Sequence, residues 1–320
     1  MENLNQNVQP IAEKTVKGPK ALFWYLTLFF SLGITAFNTG GIWFQYINKW
    51  LPQEVTGGIV TTAFNQSALK FNIASLLVAT PLFFVFSYLI RKALSRNQLD
   101  PKNKIRVWIT YVILFLAIAI AVGDLIATVY RVLDGDYTLR FLLKALSILI
   151  IVSWIFTYYW LEIRSEKSLA ESQVPKTMAI ITAAVIAVSF IGSFFIVDSP
   201  AVSRARAFDQ TRINNLNEIK YAVENHYRQS GVVPDTLDQL REQNIYLNLT
   251  DPKTQKPYQY NVKSDEEFEL CAEFETSNRE ITDRQDYAYG PGFLHDQGLD
   301  CLEFNIPLDL KNEIKPVPVR

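Results

Sequence analysis

Five stretches of the chain are almost unbroken in apolar residues, and each is long enough for a helix to cross a hydrocarbon core of about 30 Å. The last of them, residues 178–197, reads MAIITAAVIAVSFIGSFFIV and carries no charge. The first begins near Ala21 (ALFWYLTLFFSLGITAF). Its aromatic-rich continuation through Asn38-Thr39-Gly40-Gly41 to Leu51-Pro52 suits a helix end near the membrane interface. The second crossing is expected at 71–90. The stretch 58–72 at its start holds Asn65, Gln66, Lys70 and Asn72, and this polar part should lie outside the bilayer or shielded in a bundle, because polar groups are costly in hydrocarbon. Pro81 should kink this helix. The third crossing is 107–129 and the fourth 141–161, joined by the tight loop RVLDGDYTLR.

After residue 197 the period of the pattern changes. Ser199 and Pro200 suit the cap and first turn of a helix that runs to about Gln229. Phe208, Ile213, Leu216, Ile219, Val223 and Tyr227 form its apolar stripe. Arg204, Arg206 and Arg212 lie near its membrane end, facing either anionic head groups or solvent. Ser230-Gly231 ends this helix, and Asp235 begins a short second one with Leu237 and Leu240 inward. YQYNV and FELCAEFE alternate apolar and polar residues as a β-hairpin does, and LDCLEFNI supplies a third strand. The connection 276–298 is a surface loop or a ligand-contacting loop. Its carboxylates Asp283, Asp286 and Asp296 lack the fixed spacing of a calcium loop.

The expected fold class is therefore an α-helical membrane bundle of five transmembrane helices plus a small α+β domain, a long helix on an antiparallel sheet. The divisions are a tail at 1–18, a four-helix membrane domain at 19–164, a loop at 165–177, the fifth span at 178–197, the polar domain at 198–310 and a tail at 311–320.

Charge sets the orientation. With the N-terminus cytoplasmic, the inside segments hold Lys14, Lys17, Lys20, a basic loop from Arg91 through Lys92, Arg96, Lys102 and Lys104 to Arg106, and then Arg164, Lys167 and Lys176. The outside loops hold only Lys49, Arg131 and Arg140. The positive-inside rule then places the C-terminal domain outside the cytoplasmic membrane. The net charge of −1 leaves no basic surplus for nucleic acid. Both His residues, His226 and His295, lie beyond the spans, which excludes His-ligated haem or metal within the bilayer. The only cysteines, Cys271 and Cys301, fall in the domain placed outside, where a disulfide is the simplest pairing. Closing a loop of about 30 residues contributes roughly 3.5 kcal/mol in the chain-entropy model. The alternatives are two reduced thiols or half a metal site, with no His or third Cys at ligand spacing.

One charged pair lies within the spans. Reflecting the third and fourth helices about Asp134-Gly135 puts Asp124 and Lys144 at similar depth, which suggests an intramembrane ion pair that locks register. The same pair is the candidate site of a small transporter or ion-coupled protein. No nucleophile, base or paired-carboxylate arrangement stands out, so the expectation is a non-enzymatic protein with no cofactor or metal. Its expected partners are the lipid bilayer and an extracytoplasmic protein.

Two stretches resemble known families. GVVPDTLDQL, DPKTQKPYQYNV and FELCAEFET after a long helix resemble the soluble part of type II pseudopilins and type IV pilin-like proteins, which implies a helix packed on a small antiparallel sheet. The hydrophobic segment before that helix lacks the prepilin cleavage signature, so the resemblance implies fold and not filament assembly. Residues 19–164, with ALKFNIASLLVATPLFF, GDLIATVYRVLDGDYTLRFLLKAL and SWIFTYYWLEIR, resemble a four-helix bacterial integral membrane domain of unknown function. That resemblance implies a bacterial inner-membrane location and no particular activity.

Overall fold

A computed structural model describes residues 16, 18–51, 63–96, 98–100, 104–135, 137–164, 173–243, 247–280, 290–308 and 310. Most of the two expected tails, most of the loop 165–177, Lys102, Asp283 and Asp286 lie outside the described residues. The chain forms two compact units, Met1–Leu51 with Ser67–Val197, and Pro52–Gln66 with Asp198–Arg320.

The first unit holds five helices: α1 (Gly18–Trp50), α2 (Gln66–Ser95), α3 (Lys104–Leu133), α4 (Leu139–Arg164) and α5 (Gln173–Ser193). All five are long and apolar enough to cross a membrane, so the chain is a multi-span membrane protein. Large apolar side chains such as Phe37, Phe115 and Val188 are exposed around the helices, as a lipid-facing surface requires.

The helix bounds depart from the sequence pattern in α2 and α5. α1 runs through Asn38-Thr39-Gly40-Gly41 to Trp50, in line with the stop expected at Leu51-Pro52. The polar side chains there are absorbed by the helix itself: the Asn38 amide donates to the Ile34 carbonyl and the Thr39 hydroxyl to the Thr35 carbonyl, each at 2.7 Å. The glycines mark close helix packing, not a break. A Cβ on Gly41 would meet the Asn72 side chain of α2 at 2.5 Å, and one on Gly40 would meet Ile151 of α4 at 3.3 Å. α2 begins at Gln66, so Lys70 and Asn72 lie within the helix and Asn72 is buried; the helix passes through Pro81. α5 begins at Gln173 and ends at Ser193, short of the expected 197. The next three amides bond three residues back, a tightened terminal turn.

Ser189 ties α5 to α1. Trp43 Nε1 donates to the Ser189 hydroxyl at 2.8 Å, and the Tyr46 hydroxyl donates to the Ser189 carbonyl at 2.7 Å. Gly192 leaves room for that tyrosine, because a Cβ there would lie 2.6 Å from the Tyr46 oxygen. Gly192→Ala should therefore destabilise the detergent-purified protein by about 1–3 kcal/mol through overpacking. Adding Tyr46→Phe should recover part of the melting temperature by removing the clashing oxygen. A double variant no more stable than Gly192→Ala would show that this contact is not the cause.

The second unit is built on α6 (Pro200–Ser230). Ser199 accepts the Val202 amide as N-cap, Pro200 occupies the first turn, and Gly231 closes the helix in the left-handed region at φ 81°. α7 (Leu237–Gln243) follows, with Leu240 buried and Leu237 packed on the same core. The strands β1 (Gln259–Ser264), β2 (Glu267–Phe274) and β3 (Gly298–Asn305) form an antiparallel sheet in the order β1-β2-β3. The alternation seen in the sequence sets its faces. Phe268, Leu270, Ala272 and Phe274 of β2, with Leu302 and Phe304 of β3, face the Leu216, Ile219 and Val223 stripe of α6. Each such side chain contributes about 1.5–3 kcal/mol by leaving water. The long connection before β3 is partly core: Phe293 packs against Phe304, and buried His295 stacks on Phe274 at 3.6 Å. Asn278 fixes it there, accepting the His295 amide at 2.6 Å and donating to the Phe293 carbonyl at 3.1 Å.

Candidate functional site

Of the residues singled out from sequence, Asp124 and Lys144 do not meet as an ion pair. The Lys144 ammonium lies over the Phe44 ring of α1, 5.7 Å from its centroid. Asp124 Oδ2 is buried and accepts no hydrogen bond. Reflection about the α3–α4 loop equates depth only. Each helical residue also turns about 100°, so equal depth does not bring two side chains onto facing sides. Neither residue lines the cavity of about 210 Å³ formed by α1, α4 and α5 with Phe83 of α2. Its wall is apolar, with Ile150, Ile151, Ile181 and Val185 prominent, and Trp154 Nε1 donates across it to Thr182 at 2.9 Å.

Cys271 and Cys301 are joined as a disulfide, with Cα atoms 4.0 Å apart. They stand directly opposite in the β2–β3 register, between the core-facing pairs Leu270–Leu302 and Ala272–Asp300. The bond therefore lies on the sheet face turned away from α6, among Glu269, Glu273 and Glu303. Glu269, Cys271 and Cys301 bring ligand atoms within 4.8 Å of one another, but the two sulfurs are bonded to each other and offer no thiolate. Lys263 bridges Glu269 at 2.9 Å, and that hydrogen bond holds the Glu269 carboxyl below the usual range.

A buried charge cluster in the C-terminal domain lies where the sequence reading did not put it. Arg212 meets neither head groups nor solvent; it is 1% exposed inside the C-terminal domain. Its Nη1 donates to Asp209 at 2.7 Å, and its Nε and Nη2 donate to Asp251. Asp209 also accepts the amides of Glu275 and Thr276 and the Thr276 hydroxyl, at 2.7–2.8 Å. Asp251 accepts the amides of Lys253 and Thr254 at 2.9 and 2.7 Å. One helix face thus pins both the turn at 251–254 and the end of β2. Burial works against the Arg212 charge, but the hydrogen bonds it donates to Asp251 and Asp209 outweigh that and raise its pKa. Burial likewise raises Asp251, yet Arg212 and the two turn amides bring it down to about 2. Asp209 and Arg212 continue the apolar stripe of α6 backwards at helical spacing from Ile213 and Leu216, and that signal identifies them as inward. Arg206 pairs with Asp198 at 3.2 Å.

The charge network, the disulfide and the pinned loop all act within the C-terminal fold, whereas the membrane helices carry a pattern found in other proteins. Residues 21–159 match the DUF5671 family, described as a domain of unknown function. The DUF5671 match ends within α4, so α5 and the whole C-terminal domain lie beyond it. No curated protein and no solved structure matches the chain.

Proposed function

We propose that this protein is a non-enzymatic component of a bacterial cell envelope. In this reading the bundle anchors the chain in the cytoplasmic membrane and holds a pilin-like domain on the outer side for an extracytoplasmic protein partner. The observation that carries the reading is the Cys271–Cys301 disulfide, which would persist in an oxidising compartment and be reduced in the cytoplasm. The bias of Lys and Arg toward the loops on the N-terminal side of the membrane supports the same orientation. A long helix on a three-stranded antiparallel sheet is the arrangement expected of a pilin-like domain. The continuous helices and the apolar wall of the bundle cavity favour an anchor over a transporter built on Asp124 and Lys144.

Two experiments test the reading. After mild reduction, a membrane-impermeant maleimide applied to intact spheroplasts should label Cys271 and Cys301; labelling only after lysis would reverse the orientation. In-cell crosslinking should then capture protein partners with the full chain and lose them when it is truncated after Val197. Partners kept by the truncated chain would move the binding role into the bundle.

A further inference from the structure

The end of the bundle at which α1 begins gathers polar side chains from four helices. Tyr25 lies in the second turn of α1, Arg91 near the end of α2, Arg106 in the first turn of α3 and Glu162 in the last turn of α4. Arg106 Nε and Nη2 donate to Glu162 Oε1 at 3.1 and 2.7 Å, and Arg91 Nη2 donates to the Tyr158 hydroxyl at 3.2 Å. These five residues, with Ser87, Thr110 and Tyr159 among their neighbours, line a cavity of about 50 Å³. Glu162 is the one carboxylate among the lining residues, beside the guanidinium groups of Arg91 and Arg106.

Tyr25 supplies the second observation. Only 5% of it is exposed, it lines this cavity, and its hydroxyl has no hydrogen-bond partner. A buried hydroxyl left this way is unfavourable unless something outside the chain meets it. The space is several times the roughly 10–15 Å³ one water needs, enough for a small tetrahedral oxyanion. Toward the membrane interior the same cavity is walled by Leu28, Phe29, Phe83 and Ile113.

We propose that this cavity binds a phosphate group, with Arg91 and Arg106 supplying charge and the Tyr25 hydroxyl donating to one of its oxygens. Glu162 holds the Arg106 guanidinium in position. The group has two possible sources, the phosphodiester of a lipid at this face of the bilayer or a free phosphate, and basic pockets between transmembrane helices suit the first. The proposal is independent of which face is cytoplasmic and of what the C-terminal domain binds.

The test uses the full-length protein, delipidated in detergent, titrated separately with dioleoylphosphatidylglycerol and with inorganic phosphate while its melting temperature is followed. At least one probe should raise the melting temperature saturably. A response to the lipid alone assigns a head group, and a response to inorganic phosphate assigns a free anion; either supports the site. Tyr25→Phe, which keeps the packed ring, should weaken the apparent affinity about tenfold, and Arg91→Gln by at least as much. If neither probe acts, or if Tyr25→Phe responds as the unsubstituted protein does, the cavity holds only water and the proposal fails. Should Arg91→Gln not fold, the Tyr25→Phe comparison decides alone.

Discussion

Replacing Arg212 with methionine should cost the C-terminal domain about 3–5 kcal/mol, because it leaves the carboxylates of Asp209 and Asp251 buried without their cation. Neutralising the whole cluster would not recover the loss. Each carboxylate also accepts backbone amides, those of Glu275 and Thr276 for Asp209 and those of Lys253 and Thr254 for Asp251. Removing the acids would leave those donors without their present partners. The measurement is hydrogen exchange on the full-length protein in detergent. Protection at Lys253, Thr254, Glu275 and Thr276 should fall together with that of the α6 core. If Arg212→Met lowers the free energy of opening by less than about 1 kcal/mol, the cluster is peripheral to stability.

The same cluster has a pH signature whose sign follows from Asp251. Its carboxyl titrates at about 2 in the folded chain against an ordinary value of 3.8. A depressed acid contributes stability fully above its unfolded value and loses it as pH falls through the folded one. The unsubstituted domain should therefore lose stability between about pH 4 and pH 2, and the Arg212→Met variant should show a flatter dependence there. An unchanged acid limb in the variant would mean that other carboxylates set it.

Elements governed by local pattern were legible in the sequence, and contacts governed by azimuth or by tertiary absorption of polar groups were not. The caps of α6 at Ser199 and Gly231 and the strand alternation of β2 and β3 depend on neighbours in sequence, and all appear where the pattern puts them. The sequence places Asn38 and Thr39 inside the first span's continuation toward Leu51-Pro52 but does not show how their polar groups are met. Their hydrogen bonds to carbonyls four residues back make them compatible with a continuous helix, and that can be known only from the helix itself. Lys144 was paired with Asp124 on depth alone, and the aromatic ring of Phe44 that it meets comes from a helix remote in sequence. Arg212 lies four residues before Leu216 and next to Ile213, so the helical period alone places it on the inward stripe. Its charge argues for solvent, and in this helix the period wins because Asp251, distant in sequence, compensates the buried cation.

Removing the disulfide, by Cys271→Ala with Cys301→Ala, should destabilise the C-terminal domain by about 3–4 kcal/mol without changing its fold. The fold should survive because the bond lies on the outer face of the sheet. The core pairs Leu270–Leu302 and Phe268–Phe304, with α6 behind them, do not depend on it. The loss arises in the unfolded chain, which regains the freedom of a loop that includes the connection between β2 and β3. Either single substitution opens the loop as fully as both do. The two single variants and the double should therefore agree to within about half a kcal/mol, whereas a disulfide acting through native contacts would give additive or unequal losses. Denaturant titration of the oxidised, reduced and substituted proteins makes the comparison. A reduced protein as stable as the oxidised one would show that the β2–β3 ladder alone holds this edge of the sheet, and would remove the stabilising role assigned to the only cysteines in the chain.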